Sequence, residues 1–378
     1  MKPEQVKEIA NAVLFEGYLL YPYRQSALKN RTRWTFGVVY PREYSDANGG
    51  TEPWTMRTEC LVEGQADDIS LDVTIRFLHL LVRTVVQPVP AKNDSVEAND
   101  WGLASRFADE PLQEGMEREV SASELSLSDL LVRPRRVAIE FPAVHMVEHP
   151  ADGSATEIMR EQQAISGAFI IAAEQVGTKL FKLSIEIENT TPATDAVTSR
   201  RDAVLFQSFV STHTILQVHQ GSFISLLEPP EELQTFVKGC QNLRTWPVLV
   251  GNEGERDAIL SSPIILYDYP QIAPESPGPL FDGSEIDEIL TLRIMTLSDE
   301  EKEQMRQDER TREILERTEA LTPEQFMKMH GTIRDLRPIS ALTQTDFTSP
   351  PGRIADAGSM RTSTFGQAPS NESEGEKA

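Results

Sequence analysis

Lys179-Leu180-Phe181-Lys182-Leu183-Ser184-Ile185-Glu186-Ile187-Glu188 sets Phe181, Leu183, Ile185 and Ile187 on one side of an extended chain and Lys182, Ser184, Glu186 and Glu188 on the other. A period of two with one apolar and one polar side marks a strand with a dry and a wet face, as in antiparallel sheets. The same grammar, β-branched and aromatic residues between turn residues, recurs on both sides of this stretch. It marks residues 13–20, 33–40, 55–62, 70–86, 136–146 and 164–176 before it, and 203–218 and 222–227 after it. Helix stays open for residues 75–82, because Ile75, Leu78 and Val82 also fit a helical stripe. Many short strands without intervening βαβ helices predict a mainly β (α+β) chain arranged as an antiparallel β-sandwich.

Two stretches interrupt the strand grammar. Residues 87–134 carry Pro88, Pro90 and Pro111 and scattered acids around Trp101, which predicts a surface insertion with a brief element near residues 125–131. Residues 270–279 hold four prolines and predict a stiff connector, after which helix signals take over. Ser284 with Asp287, the capping box Ser298-Asp299-Glu300-Glu301, and Thr322-Pro323-Glu324-Gln325 with Gly331 as terminator announce three or four short helices. Beyond Leu336 the chain is rich in Ser, Thr, Gly, Ala and Pro, too poor in large apolar residues to offset the entropy of ordering. The expected organisation is a β-rich domain over residues 1–270 with the insertion at 87–134, a connector with short helices over 271–337, and a disordered tail over 338–378.

The 378 residues carry a formal net charge of −23, a field that repels nucleic acid phosphate and anionic membrane alike. Proteins with basic patches, or cations, are the partners such a field favours. Two cysteines, Cys60 and Cys240, are too few for a secreted disulfide scaffold and fit a reducing compartment. Glu4 and Glu8 break up any apolar run at the N-terminus, and no apolar run approaches the roughly 18 residues of a membrane-spanning helix. A soluble cytoplasmic protein is expected.

Among short motifs, His145-Met146-Val147-Glu148-His149 matches the H-x-x-E-H pattern of zinc peptidases, which needs a helix to set two histidines and a carboxylate around one metal. Pro142 before it and Pro150 after it leave no room for that helix. His145, Glu148 and His149 stay as metal candidates for a rival reading, a metal-dependent hydrolase-like enzyme. His213 and His219 lie six apart on one face of a predicted strand and could join Cys60 or Cys240 if the fold brought them together. The acids Glu285, Asp287 and Glu288 read as a helix first turn serving its dipole. The chain holds no GxxxxGK loop, GxSxG elbow, GxGxxG or paired CxxC, so no catalytic residue or cofactor is assigned.

The most distinctive stretch runs from Tyr21 to Arg42. Arg24, Lys29, Arg31, Arg33 and Arg42 occur with no acid between them, interleaved with Tyr21, Tyr23, Trp34, Phe36 and Tyr40. In so acidic a chain this is an island of positive charge, and arginine with aromatic rings makes strong interface anchors. The expected partner-binding residues are Tyr23, Arg24, Lys29, Arg31, Arg33 and Trp34. The competing reading is a solvated loop whose cations pair with the chain's own acids.

Tyr18-Leu19-Leu20-Tyr21-Pro22-Tyr23-Arg24, Ser26-Ala27-Leu28-Lys29-Asn30, Arg33-Trp34-Thr35-Phe36-Gly37, Ser261-Ser262-Pro263-Ile264-Ile265-Leu266-Tyr267-Asp268-Tyr269-Pro270 and Phe281-Asp282-Gly283-Ser284-Glu285-Ile286-Asp287-Glu288-Ile289-Leu290 together resemble an uncharacterised bacterial family encoded beside high-affinity nickel-iron hydrogenases. The resemblance runs from about Val13 to the last helix and leaves out the insertion and the tail. It implies a cytoplasmic, non-enzymatic accessory role in assembling or organising a hydrogenase, with a hydrogenase subunit or maturation factor as protein partner. A structural scaffold is the other non-enzymatic possibility. The dense His or Cys tracts of metal carriers do not occur.

Overall fold

The computed structural model describes residues 3–14, 36–86, 112–149, 157–193, 199–271 and most of 294–322. The expected mainly β architecture is what these residues form: two antiparallel sheets facing each other across one core. One sheet has five strands in the order β10-β1-β8-β7-β4, formed by Gly221–Ile224, Thr55–Gly64, Leu180–Asn189, Ile165–Gly177 and Arg135–Phe141. The other has seven strands. Its path runs from β11 (Trp246–Leu249) through β12 (Ala258–Ser262) and β9 (Val210–His219) to β2 (Ser70–Val86), then β6 (Glu157–Gln162) and β5 (Val144–Glu148). β3 (Leu112–Ser126) pairs with β2 outside this path.

The strand that begins at Leu180 behaves as its alternation demands. Phe181, Leu183, Ile185 and Ile187 are buried in the shared core, facing Leu71, Val73, Ile75 and Phe77 of β2 and Leu216 and Val218 of β9. Its wet face carries Lys182 against Glu174 and Glu186 against Arg57. At 17 residues β2 is long enough to serve two neighbours along one edge, β9 against residues 70–78 and β6 against residues 82–86, while β3 follows the other edge. The outer face of β2 is covered as well: Leu78 and Leu80 pack beneath Leu14, Val38, Tyr40 and Tyr44. That second covering turns residues 75–81 into a continuous buried run, which explains why their periodicity fits helix as well as strand.

Helix α1 (Pro3–Leu14) lies on this outer face, with Val6, Ile9, Ala10 and Val13 set against Val248, Ala258 and Leu260 of β11 and β12. Of the region expected to be strand at 13–20, residues 13 and 14 end this helix and the remainder lies outside the described residues. The expected insertion at 87–134 also resolves differently, since residues 112–132 of it form β3 followed by α3 (Leu127–Val132); α2 is the short helix Arg42–Ala47. Ser126 caps α3 through its hydroxyl, which accepts the Asp129 N–H. Residues 136–146, read as one strand, are β4 and β5, separated by Pro142-Ala143. Residues 203–209 are short helical turns, α4 (Arg201–Val204) and a 3-10 turn, before β9 begins. α5 (Gln234–Lys238) covers the outer side of the five-stranded sheet at Leu61, Leu180 and Ile224.

Close packing between the sheets depends on Gly167. A Cβ there would stand 2.3 Å from the Glu188 carbonyl oxygen and 2.7 Å from the Phe209 ring. The expected capping box at Ser298 does open a helix, α6 (Asp299–Arg306). The connector at 272–280, the cap at Ser284 and the tail at 338–378 lie outside the described residues. No helix among the described residues is long and apolar enough to cross a membrane.

Candidate functional site

Tyr23, Arg24, Lys29, Arg31, Arg33 and Trp34 lie outside the described residues, and the described residues that flank them are Leu14 and Phe36. Leu14, the last residue of α1, and Val38 and Tyr40, beyond the segment, pack into one hydrophobic cluster on the outer face of the seven-stranded sheet. Residues 14 and 38 therefore lie in one cluster. From Phe36 the chain runs beside the start of β9: the Ser211 N–H donates to the Phe36 carbonyl at 3.0 Å, Thr212 N–H to Gly37 at 3.0 Å, and Val39 bridges Phe209. Gly37 takes φ +53°, and a Cβ on it would stand 2.6 Å from Cβ of Pro263. Glycine meets both demands, a left-handed backbone and contact with a proline ring.

Just past Pro263 the chain alternates. Leu266 is buried in the cluster under α1 and Ile264 packs partly against it, while Ile265 and Tyr267 point outward, 68% and 85% exposed. Phe36 is also exposed. The described end of the segment, Arg42, stacks its guanidinium 4.7 Å from the Trp54 ring centroid and pairs with Asp46 at 3.6 Å. This exposed pair contributes little to stability and leaves the cation accessible.

The H-x-x-E-H residues sit on and just after β5, a strand. Residues three apart on a strand face opposite ways. His145 turns to Glu161, 3.2 Å from its carboxylate, and Glu148 turns to Arg160 at 2.5 Å on the other face. The one-sided grouping that a peptidase metal needs is not formed. His213 and His219 part company too: His213 is fully buried, while His219 is half exposed and bonded to Asp72 at 2.9 Å. Cys60 belongs to the inter-sheet core and Cys240 to the cluster under α5, and both are free thiols. Among the described residues no three His, Cys, Asp or Glu side chains are placed to hold a metal ion.

His213 does take part in a pairing with the connectivity of a catalytic dyad. Its Nδ1 is 2.7 Å from the Ser211 carbonyl and its Nε2 is 3.2 Å from Ser262 Oγ, so Nδ1–H donates and Nε2 accepts. Both side chains are sealed from solvent, Ser262 Oγ already accepts the Ile264 N–H, and burial lowers the imidazole to about 4. An imidazole so acidic is a poor base near neutral pH, and the pairing reads as a buried polar staple between β9 and β12.

A second polar group went unread in the sequence. At the end of β4 the Phe141 ring meets Phe77 edge-on at 6.1 Å, stands 6.4 Å from the His79 ring, and carries the Arg118 guanidinium 4.5 Å from its centroid. Arg118 Nη2 donates to Gln162 Oε1 at 2.7 Å, and the Gln162 amide donates to the His79 carbonyl at 3.2 Å. His79 is fully buried, and neither ring nitrogen makes a hydrogen bond of ordinary geometry. Burial first, then the charge of Arg118, push it down to about 4, against a weaker opposing pull from the Gln163 backbone. Further along the same face Arg160 grips both Glu114 and Glu148, and Arg83 stands 3.5 Å from Glu114. The available signal was a histidine and an arginine, His79 and Arg83, inside the apolar run of β2.

Fold and geometry together define a mainly β protein built on two antiparallel sheets. Compared with protein-family models, with curated proteins and with solved structures, the chain matches none.

Proposed function

We propose that this chain is a non-enzymatic accessory protein that grips an acidic partner through the segment from Tyr21 to Arg42. The partner implied by the resemblance is a cytoplasmic hydrogenase subunit or maturation factor. One observation supports the reading: Leu14 and Val38, the described residues that flank the island of Arg24, Lys29, Arg31 and Arg33 in sequence, pack in a single cluster on an acidic protein. Flanking residues held close together would lower the ordering cost of binding, and the negative charge elsewhere would confine an acidic partner to the cationic segment. Phe36, next to Gly37, and Ile265 and Tyr267, just past Pro263, are exposed and offer apolar area.

Charge reversal of Arg24, Arg31 and Arg33 together tests the reading in the full chain. Hydrogenase subunits or maturation factors, identified by mass spectrometry after tagged purification from the native host, are expected with the wild type and lost with the triple variant at an unchanged melting temperature. Retention of the same partners by the triple variant refutes it.

A further inference from the structure

β4 is the last strand of the five-stranded sheet: β7 pairs with one side of it, and among the described residues no strand takes the other. A row of unpaired backbone N–H and C=O groups is a template for a further strand, and proteins defend it with a proline inside the strand or with charges of one sign along it. β4 has neither defence. Pro134 and Pro142 stand just outside the strand, one at each end, and its charges are of both signs, Arg135 and Arg136 against Glu140.

The stretch is also complementary to itself. Outward from Ala138 in Pro134-Arg135-Arg136-Val137-Ala138-Ile139-Glu140-Phe141-Pro142, Val137 answers Ile139, Arg136 answers Glu140, and Pro134 answers Pro142. Arg136, Ala138 and Glu140 alternate along one face and are all exposed, while Ile139 is buried in the core and Val137 packs against it. An ion pair with Glu188 holds Arg136 on that outer face, and its five N–H donors can serve a second carboxylate. Glu140 makes no ion pair among the described residues.

We propose that β4 is a self-association edge: two copies of this chain pair their β4 strands antiparallel about a twofold axis at Ala138, joining their smaller sheets into one. In that register Arg136 faces the partner's Glu140 and Val137 faces the partner's Ile139, each twice because the contact is symmetric. Pro134 and the partner's Pro142 close the ladder at both ends, having no N–H to give. A slip of two residues either way sets Arg136 against Ala138 or Pro142 and parts both charge pairs, which fixes the register. The net charge of −23 on each copy opposes association, but at physiological salt a screening length of about 8 Å leaves the charges along the seam to decide. With seven residues from each copy the contact is small and the dimer weak.

Sedimentation of the full chain at about 0.15 M salt reads the association. The wild type is expected to pass from monomer to dimer with a Kd on the order of 100 μM, and hydrogen exchange of amides within residues 135–141 is expected to slow over the same concentrations. Arg136→Glu and Glu140→Arg each set like charges against each other twice, so each variant alone is expected to weaken the dimer at least about tenfold. Mixed in equal amounts, the two variants are expected to associate about as tightly as the wild type, because both facing pairs are then Arg against Glu. Damage to the fold would not produce that rescue. The proposal is overturned by a wild type that stays monomeric at about 1 mM, by a dimer undiminished in both variants, or by a mixture that associates no better than its components. Dimerisation without slowed exchange in residues 135–141 overturns it too. So does a monomeric wild type in which every amide of residues 135–141 resists exchange, since another part of the chain then takes the edge.

Discussion

Acid should unfold this protein through two histidines that the fold keeps neutral. His79 and His213 are both without exposed surface, and each is lowered from 6.5 to about 4 chiefly by burial. A lowered histidine binds its proton less readily folded than unfolded. Its stabilising contribution is therefore whole above the unfolded value near 6.5 and is lost as pH falls towards 4. At about pH 5 each residue has given up roughly 2 kcal/mol, and the pair makes stability fall by roughly 2.4 kcal/mol per pH unit there. Against a typical total of about 5–15 kcal/mol this is a large share. Guanidinium unfolding between about pH 7 and 5, in a buffer free of carboxylates, measures it. His79→Phe is the informative variant, because the ring nitrogens make no hydrogen bond of ordinary geometry and Phe77 and Phe141 line the site. It should match or exceed wild-type stability near neutral pH and show about half the slope, roughly 1.2 kcal/mol per pH unit. Wild-type and variant profiles that run parallel through this window would refute the assignment.

Two further outcomes can be checked on the same material. Gly167→Ala should cost about 3 kcal/mol and lower the melting temperature, since the added Cβ would meet the carbonyl of Glu188 on the paired strand at 2.3 Å and the Phe209 ring at 2.7 Å; a wild-type melting temperature would count against the close approach. Cys240, pushed up to about 11 by burial and then by the Glu59 charge, and Cys60, sealed in the core, should react with a thiol reagent at about pH 8 at least about tenfold more slowly in native than in unfolded protein. Two thiols reacting at once in native protein would contradict this.

The strands that face water on one side were legible because alternation survives in them. Residues 70–86 are β2 as read, and the strand beginning at Leu180 was recognisable from its own ten residues. What escaped has physical reasons. α1 carries Val6, Ile9, Ala10, Val13 and Leu14 at helical spacing, a stripe readable at its polar N-terminus but masked by the apolar run that follows. β3 was hidden because Glu114, Glu117, Arg118 and Glu119 put charge on both its faces, and its order comes from pairing with an unusually long neighbour, which no local pattern reveals. The H-x-x-E-H spelling was visible, but its meaning depends on helix or strand, and the strand separates His145 from Glu148. Arg118, His79 and Gln162 come from three strands, so only the register of β2 with β3 and β6 could unite them.

One contact joins the sequence features that had no local explanation. Arg33-Trp34-Thr35-Phe36-Gly37 and Ser261 to Pro270 stand far apart in the chain, yet Gly37 and Pro263 meet with no space for a single added methyl group. With its positive φ, Gly37 brings the chain onto the Phe209–Thr212 edge, and Pro263 follows β12 at the same spot, with Ile265 and Tyr267 exposed just past it. On the proposed reading, exposed apolar area next to a fixed backbone turn is what would let a few arginines bind rather than merely attract.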